Sequence, residues 1–316
     1  MKKIALVAAL AALAAPAFAQ STVTLWGRIN TSVESQKTGN ADRVATVQNN
    51  GSRLGFKGME DLGGGLKAGF WLEHGLNSDD GKASSTAFWN REATVQLSGA
   101  FGTVKLGRWT NGSYFATADY VSMHNHDTGT SSDALYAFGT SFTSTNKVGY
   151  FTPNYNGFTG EFTVHAGEGA AGDARAVDVS GNYDQGPLHL GVGYGKQGSA
   201  MQVAVRGLYE LGAFTFGGYY QMEDTGLTGN ATRNIGRVSA MYTMGASEFH
   251  VNVGGTEAGG TFGAAGAKQY TLGYNYNLSK RTKVYGFYTA IDNNSKLLGG
   301  KAGDFSSLAA GIRHNF

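Results

Sequence analysis

Histidine and cysteine, the residues that most often carry catalytic or metal chemistry, give no constellation in this sequence. There are seven histidines and no cysteine. His124 and His126 form an H-x-H pair with metal-ligand spacing, but no third ligand is arranged to complete a site. No histidine is set against a nucleophile or a second acid–base group. The sequence therefore predicts no catalytic site, no metal site and no cofactor.

Charged residues form a more informative pattern. Basic side chains recur on the polar positions of alternating segments, namely Arg28, Arg53, Lys57, Lys67, Lys105 and Lys147. Asp119, Asp127 and Asp133 lie in a long segment without sustained alternation, residues 109–146. A channel constriction often sets one sign of charge on its wall and the other on a loop, because these charges replace the hydration that a passing ion loses. These residues could do so if the alternating segments surround a lumen.

The elements that would position these charges are strands with two-residue alternation. Leu25 and Ile29 alternate with Trp26 and Arg28, and the same pattern recurs along the chain. This predicts a single all-β domain. Alternation fits either a soluble sandwich, such as a lectin or adhesin, or an outer-membrane barrel with its apolar face outward. Gly191, Gly193 and Gly195 lack the G-x-G-x-x-G spacing of a phosphate site and are interpreted as small lumenal or packing positions.

Turn spacing and aromatic content favour the barrel. Longer polar stretches, such as residues 36–50, separate seven short turns, at 61–65, 98–102, 154–157, 184–187, 210–212, 244–246 and 277–280. Each short turn joins two strands, and the closure where the two termini meet adds an eighth pair at the same end of the barrel. The turns therefore predict sixteen antiparallel transmembrane strands. The 16 tyrosines and 18 phenylalanines suit the interfaces of a bilayer. In the last strand Leu308, Ile312 and Phe316 share one parity, which a soluble sandwich would not require.

The N-terminal segment has the composition of an export signal. Lys2 and Lys3 precede an apolar run of about a dozen residues, too short for a membrane helix, and Ala17-Phe18-Ala19 fits a cleavage site. We expect residues 1–19 to be a signal peptide and residues 20–316 to be the barrel. Removing the two lysines leaves 23 basic and 23 acidic residues. A neutral chain without a basic block gives no footprint for nucleic acid.

Several longer motifs resemble the general diffusion porins of Gram-negative outer membranes, in particular the betaproteobacterial branch. The resemblance spans almost all of the sequence after residue 19. It rests on Val23-Thr24-Leu25-Trp26-Gly27, on the block from Ser52 to Phe70, on Val104-Lys105-Leu106-Gly107-Arg108, on Tyr150-Phe151-Thr152-Pro153, on Leu278-Ser279-Lys280-Arg281-Thr282 and on Gly311-Ile312-Arg313-His314-Asn315-Phe316.

The resemblance implies a homotrimer of sixteen-stranded barrels in the outer membrane. Each barrel would be a water-filled channel for passive diffusion of small hydrophilic solutes and ions, narrowed by the third external loop, about residues 109–146, folded into the lumen. Outer-membrane lipid and lipopolysaccharide would contact the barrel. Phe316 resembles the signal by which the C-terminal strand engages the barrel-assembly machinery.

The resemblance also assigns individual residues. The wall arginines of the family fall on Arg53 and Arg91, and Thr143 replaces a third, which Lys147 partly compensates. Alternation with Val95 and Leu97 would instead turn Arg91 towards lipid unless a β-bulge intervenes. Arg108 has the outward parity of its strand, and because an arginine against lipid is costly, we expect it at a subunit interface.

These assignments predict a weakly anion-selective channel and no enzyme. The alternative is an outer-membrane barrel enzyme, a protease or phospholipase. Such an enzyme would have fewer strands, and several of the seven short turns would then be unexplained.

Overall fold

The computed structural model describes residues 22–117, 129–136, 144–169, 174–224, 232–256, 266–293 and 304–316. The expected signal segment, the pair His124 and His126, and the residues Asp119, Asp127 and Thr143 lie outside these ranges. Among the described residues, no helix has the length and hydropathy that a membrane span requires.

The described chain is built almost entirely from antiparallel strands. They are β1 Thr22–Thr38, β2 Val44–Asn49, β3 Arg53–Gly63, β4 Leu66–Gly75, β5 Glu92–Gly99, β6 Gly102–Arg108, β7 Lys147–Phe151, β8 Phe158–His165, β9 Ala176–Gln185, β10 Leu188–Gln197, β11 Ala200–Leu211, β12 Phe214–Asp224, β13 Thr232–Met244, β14 Ser247–Thr256, β15 Ala267–Asn277, β16 Thr282–Asn293 and β17 Phe305–Asn315.

The strands form one closed sheet. Each strand from β3 onward pairs with the next, and β17 pairs with β1 to close the barrel. Strands β2 and β3 both pair with the same side of β1, β2 with its second half and β3 with its first. The break between them contains Gly51, whose φ is +72°. They therefore act as one interrupted strand, and the prediction of a sixteen-stranded antiparallel barrel is confirmed.

The seven short turns all lie at one end of the barrel, where β1 begins and β17 ends. The opposite end has the longer connections, with two differences from the sequence prediction. Residues 36–50, expected as a polar loop, are mostly strand, because β1 continues to Thr38 and β2 begins at Val44. Between β10 and β11 only two residues intervene, in a tight turn where Gly198 has a φ of +59°.

The barrel is inside-out relative to a soluble sandwich. Outward residues such as Leu25, Val238 and Leu272 are more than half exposed, whereas the inward Asn30, Gln221 and Thr271 are buried. A row of exposed apolar side chains that circles a barrel matches a hydrocarbon environment, and a polar interior matches water. The interior is the place where a functional site must lie.

Candidate functional site

The segment between β6 and β7, residues 109–146, is called loop 3 here, and its first residues are fixed inside the barrel. The Trp109 indole N–H donates to Glu161 Oε1 on β8 at 3.0 Å. The Lys147 ammonium, on β7, is buried and donates to the Trp109 carbonyl at 2.9 Å and to the Asn111 side chain. Lys147 therefore holds the start of loop 3.

A short helix, α1 (Gly112–Ala116), then lies against the inner face of β9 and β10. Ser113 donates to the two carboxylate oxygens of Asp178 through its backbone N–H, at 3.0 Å, and its hydroxyl, at 2.5 Å. The helix can approach because β10 has no side chains beneath it. A Cβ at Gly191 would overlap the Ala116 carbonyl oxygen, and one at Gly193 would lie 2.7 Å from Ser113 Cβ. These two glycines are therefore packing positions, one of the two roles that the sequence analysis left open for them.

The second half of loop 3 is attached to the other wall by Asp133. Its carboxylate accepts from Arg237 Nη2 on β13 at 2.7 Å and from the Tyr219 hydroxyl on β12 at 2.5 Å. It also accepts from the backbone N–H groups of Leu135 and Tyr136. Burial raises the pKa of this carboxyl, but the Arg237 charge and these hydrogen bonds outweigh burial and hold the pKa below its usual range.

Apolar contacts reinforce this attachment. Leu135 is fully buried among Leu208, Tyr219, Ile235 and Ala267, a cluster on the inner wall. Farther along the barrel, the Thr130 hydroxyl donates to Glu34 on β1 at 2.5 Å. The described parts of loop 3 thus contact the wall on both sides of the lumen, and the prediction that this loop folds inward is confirmed.

The lumen beside loop 3 contains a cavity of about 580 Å³, called the basic cavity here. Its charged lining comprises five cations and three carboxylates, Arg28, Arg53, Arg91, Lys105 and Arg313 with Glu73, Glu92 and Glu161. Strand register explains the cluster of arginines. Arg28 on β1 is directly opposite Arg53 on β3. Arg313 on β17 is opposite Asn30, which lies two residues after Arg28 on the same face of β1. Trp109 and Tyr114 of loop 3 form part of the remaining wall.

The carboxylates neutralise only part of this charge. Glu73 Oε1 contacts the Arg91 guanidinium and lies 3.6 Å from Arg53 Nη1. Lys105 Nζ lies 3.0 Å from Glu92 Oε1. Arg28 donates through Nε to the neutral amide of Asn315 at 2.9 Å. Five cations against three carboxylates give the lining a formal charge of +2.

The structure brings four of the predicted basic residues together and separates the others. Arg28, Arg53, Arg91 and Lys105 share the basic cavity. Lys57 lies instead in a neighbouring cavity near the short-turn end, 4.8 Å from the Trp71 ring. Lys147 is bonded to loop 3, as described above. Asp133 is paired with Arg237 on the far wall, and so it does not face the arginines.

The position of Arg91 is decided by where β5 begins. Arg91 precedes the first residue of that strand, Glu92, and the parity of Val95 does not extend to it. Both Arg91 and Glu92 line the cavity, which two consecutive residues of a regular strand could not do. The interpretation that turned Arg91 towards lipid is therefore wrong.

Arg108, at the end of β6, bonds to its own chain. Its Nε donates to the Asn90 carbonyl at 2.8 Å. Its expected place at a subunit interface stays a prediction.

Sequence reasoning missed several residues of the site, among them Arg313, Glu73, Arg237 and Asp178. Arg313 was detectable, because it alternates with Leu308 and Ile312 and thus has lumenal parity. Glu73 lies in a strand whose outward residues, Phe70 and Leu72, give it the same lumenal parity. Arg237 and Asp178 also have lumenal parity, but nothing in the sequence predicts which part of loop 3 each one contacts.

Comparison with known proteins places this architecture in a family. A family model described as Gram-negative porin matches residues 5–296. Over the full length of both chains, the sequence is 33% identical to outer membrane porin protein 32 of Delftia acidovorans and 28% identical to an outer membrane porin protein of Bordetella pertussis. A solved anion-selective porin from Comamonas acidovorans is 28% identical, with a TM-score of 0.75, and the match covers 94% of this chain and 100% of that one.

Proposed function

The chain belongs to the Gram-negative porin family and forms a diffusion channel in the outer membrane, and we propose that this channel favours small anions over cations. The observation that carries the proposal is the formal charge of +2 on the lining of the basic cavity. A passing ion that loses part of its hydration is stabilised by a fixed charge of opposite sign and repelled by a fixed charge of the same sign.

The details of the cavity support a weak preference rather than a strong one. Glu73 and Glu92 each contact a cation, which reduces the field that a passing anion meets. Arg28 bonds to a neutral amide, which leaves its charge uncompensated by that contact. The similar structure from Comamonas acidovorans is described as anion-selective, and an anion preference here agrees with it.

Planar-bilayer recording across a KCl gradient tests this proposal. We expect the wild-type reversal potential to have the sign of chloride permeation, and Arg28→Ala or Arg53→Ala to shift it towards zero. A unit charge about 8 Å away in water contributes roughly 0.5 kcal/mol, so each variant should change the ion ratio about twofold. Lys280→Ala removes the same charge from the exposed turn between β15 and β16 and should have no effect. A cation-selective wild type would refute the proposal.

We infer that the channel has no enzymatic activity. Membership of the porin family supports a channel rather than an enzyme. The alternative of an outer-membrane protease or phospholipase predicts hydrolysis of a peptide or phospholipid by the folded protein. We expect no turnover above that of a heat-denatured sample.

We also propose that the chain assembles as a homotrimer. An aromatic cluster on the outer face supports this. It is formed by Phe56, His74, Phe88 and Trp89, with Phe88 62% exposed and stacked on His74 at 4.2 Å between ring centroids. Arg108 bonds to Asn90, the residue after Trp89. In native mass spectrometry, Phe88→Asp should shift trimers towards monomers, whereas Leu272→Asp, on the outer face of β15, should not.

Three further roles are part of the proposal. Residues 1–19 would be the export signal, Phe316 the signal for the barrel-assembly machinery, and outer-membrane lipid with lipopolysaccharide the surroundings of the barrel. Phe316 and Gly27 exchange two backbone hydrogen bonds of 3.1 Å. The residue thus helps to close the barrel as well as to complete its last strand.

A further inference from the structure

The lumen contains a further cavity, of about 310 Å³, called the tryptophan cavity here. It lies beside the basic cavity, towards the short-turn end, and Lys105 borders both cavities. Its lining includes Lys57, Met59, Trp71 and Gln96, on β3, β4 and β5. Its volume is at the small end of the roughly 300–1,000 Å³ that is usual for small-molecule sites. A solute that leaves the basic cavity in this direction therefore meets the tryptophan cavity next.

A glycine on β3 allows two indole rings to pack against each other in the wall. Trp26 on β1 is paired with Gly55. A Cβ at Gly55 would lie 2.5 Å from Trp26 Cε2, so the Trp26 ring lies directly over this glycine. The ring thereby reaches Trp71 on β4 in an edge contact, with 5.0 Å between ring centroids and an interplanar angle of 62°. Trp26 thus supports the ring of Trp71 at the cavity.

The charge of the tryptophan cavity is positive. Lys57 is paired with Trp71, and its Nζ lies 4.8 Å from the centroid of that ring, within the range of a cation–π contact. Within the part of the chain that the structure describes, two lysines and no carboxylate line this cavity. Lys105 is paired with Glu92 of the basic cavity. Lys57 contacts aromatic rings instead of a carboxylate, and its charge therefore remains available to an anion.

Aromatic rings continue from the tryptophan cavity into the basic cavity. Lys105 Nζ lies 5.4 Å from the Trp109 ring and 5.2 Å from the Phe151 ring. Phe115, on α1, also lines the basic cavity and is 50% exposed. The passage of inorganic ions requires only a polar, water-filled lumen. A flat apolar ring with one negative charge would contact both the rings and the cations along this path.

We propose that the tryptophan cavity binds aromatic carboxylates as they pass through the channel, with the ring against Trp71 and Met59 and the carboxylate at Lys57. The inference rests on the proposed preference of the channel for anions. Aromatic pairs and contacts between sulfur and a ring are favourable beyond the burial of apolar area. Cyclohexanecarboxylate has the same charge as benzoate and a similar size, but it lacks the π-system. A preference for benzoate would therefore distinguish ring recognition from simple attraction of an anion.

The test is single-channel recording of the full protein in KCl, with potassium benzoate or potassium cyclohexanecarboxylate added to one side. We expect benzoate to halve the current at a concentration about threefold lower than cyclohexanecarboxylate, as for one aromatic contact. Trp71→Leu should remove this difference, whereas Trp71→Phe, which keeps a ring, should retain most of it. Phe249→Leu is the matched control, because it removes an exposed ring from the outer face of β14, and it should behave as the wild type does.

A second variant separates the charge from the ring. Lys57→Gln should raise the half-blocking concentrations of both acids about fivefold, the effect of a unit charge about 4 Å away in water. The ratio between the two acids should stay at the wild-type value, because Trp71 is unchanged. Lys280→Gln removes a cation from the exposed turn between β15 and β16 and should change neither concentration.

Two results would overturn the inference. Equal half-blocking concentrations of the two acids in the wild type would show that the ring is not recognised. A benzoate preference that persists in Trp71→Leu would place the ring at another site in the lumen. The reversal potential in a KCl gradient without either acid tests the anion preference separately. Chloride selectivity together with equal block would leave the proposed function intact, whereas a cation-selective wild type would refute that function itself.

Discussion

At the scale of single residues, the selectivity of the channel depends on which arginines keep their charge unopposed. Glu73 illustrates this, because its carboxylate contacts Arg91 and approaches Arg53 within 3.6 Å. It is thus the carboxylate through which two of the four clustered arginines are compensated. Removal of the Glu73 charge should therefore increase the anion preference, whereas removal of an arginine charge should decrease it.

We expect Glu73→Gln to increase the anion preference. The change raises the formal charge of the basic cavity by one and leaves a side chain of nearly the same shape. A roughly twofold increase in the chloride-to-potassium permeability ratio should follow, measured as a reversal potential in a KCl gradient. Asp80→Asn is the matched control, because Asp80 forms an exposed pair with Lys82 away from the cavity. A preference that falls in Glu73→Gln would contradict the arrangement.

Arg313 belongs with the predicted arginines, although the closing motif that contains it was given no role at the constriction. It lines the same cavity as Arg28, Arg53 and Arg91. Its strand is recognised in the sequence by its outward residues, and the lumenal residues between them follow from the same alternation. Once the barrel is assumed, the parity of a residue thus assigns it to the lumenal face even where the resemblance gives it no role.

At the scale of elements, loop 3 has attachments of two kinds. Its start is held by close packing, because the backbone of α1 lies directly against the glycines of β10. Its second half is held by the ion pair of Asp133 with Arg237 and by the burial of Leu135. The two attachments can therefore be weakened independently.

Gly191→Ala should displace the start of the loop. The new Cβ would overlap the Ala116 carbonyl, which is backbone and cannot rotate away. We expect α1 to move from the wall and single-channel conductance to change by tens of per cent, while the barrel still folds. Gly236→Ala is the control, since a Cβ there meets nothing within 4 Å. Equal conductance of Gly191→Ala and the wild type would argue against close packing of α1.

Weakening the other attachment should make the current unstable. Arg237→Met removes one partner of a buried ion pair, a change that costs about 3–5 kcal/mol at buried pairs, and should increase closures and noise in single-channel records. Lys283→Met is the control, because Lys283 is a lumenal cation 3.9 Å from Glu248 that does not contact loop 3 within the described residues. Quiet records from Arg237→Met would refute a tethering role.

The same tether predicts a pH dependence with a definite sign. The pKa of Asp133 is held below the usual value of about 4. Its stabilising effect on the loop is then complete above that value and is lost as the pH falls through the lowered pKa. Wild-type channels should stay quiet at about pH 5 and become noisy only in stronger acid. Noise that sets in near neutral pH would point to a group other than Asp133.

At the scale of the whole molecule, the channel depends on two opposite surfaces of one sheet. The outer surface is apolar and the inner one polar, and the wall is one strand thick. Water fills the lumen of a diffusion channel, and therefore dissolved salt screens its fixed charges over about 10 Å at 0.1 M and about 3 Å at 1 M.

We therefore expect the anion preference to fall with salt. The permeability ratio measured at a fixed gradient should approach that of free solution when the mean KCl concentration rises from about 0.1 M to about 1 M. A ratio that stays constant over this range would indicate selection by pore size rather than by charge. Arg53→Ala should show a smaller salt dependence than the wild type, since less fixed charge remains to be screened.

The short turns determined the number of strands, and the alternation of apolar and polar residues determined the strand class and the face of most side chains. It did so because the period of a strand is fixed by its backbone. Alternation failed to predict the side-chain direction where the backbone is not part of a strand, as at Arg91. It also could not distinguish a lysine that is exposed to the water of the lumen from a lysine, such as Lys147, that is bonded to loop 3. The partners of Asp133 and Ser113 on the barrel wall were likewise decided only by tertiary structure. These wall contacts join residues 65 or more positions apart in sequence. The closure of the barrel and the path of the loop across it bring such residues together, and local sequence does not.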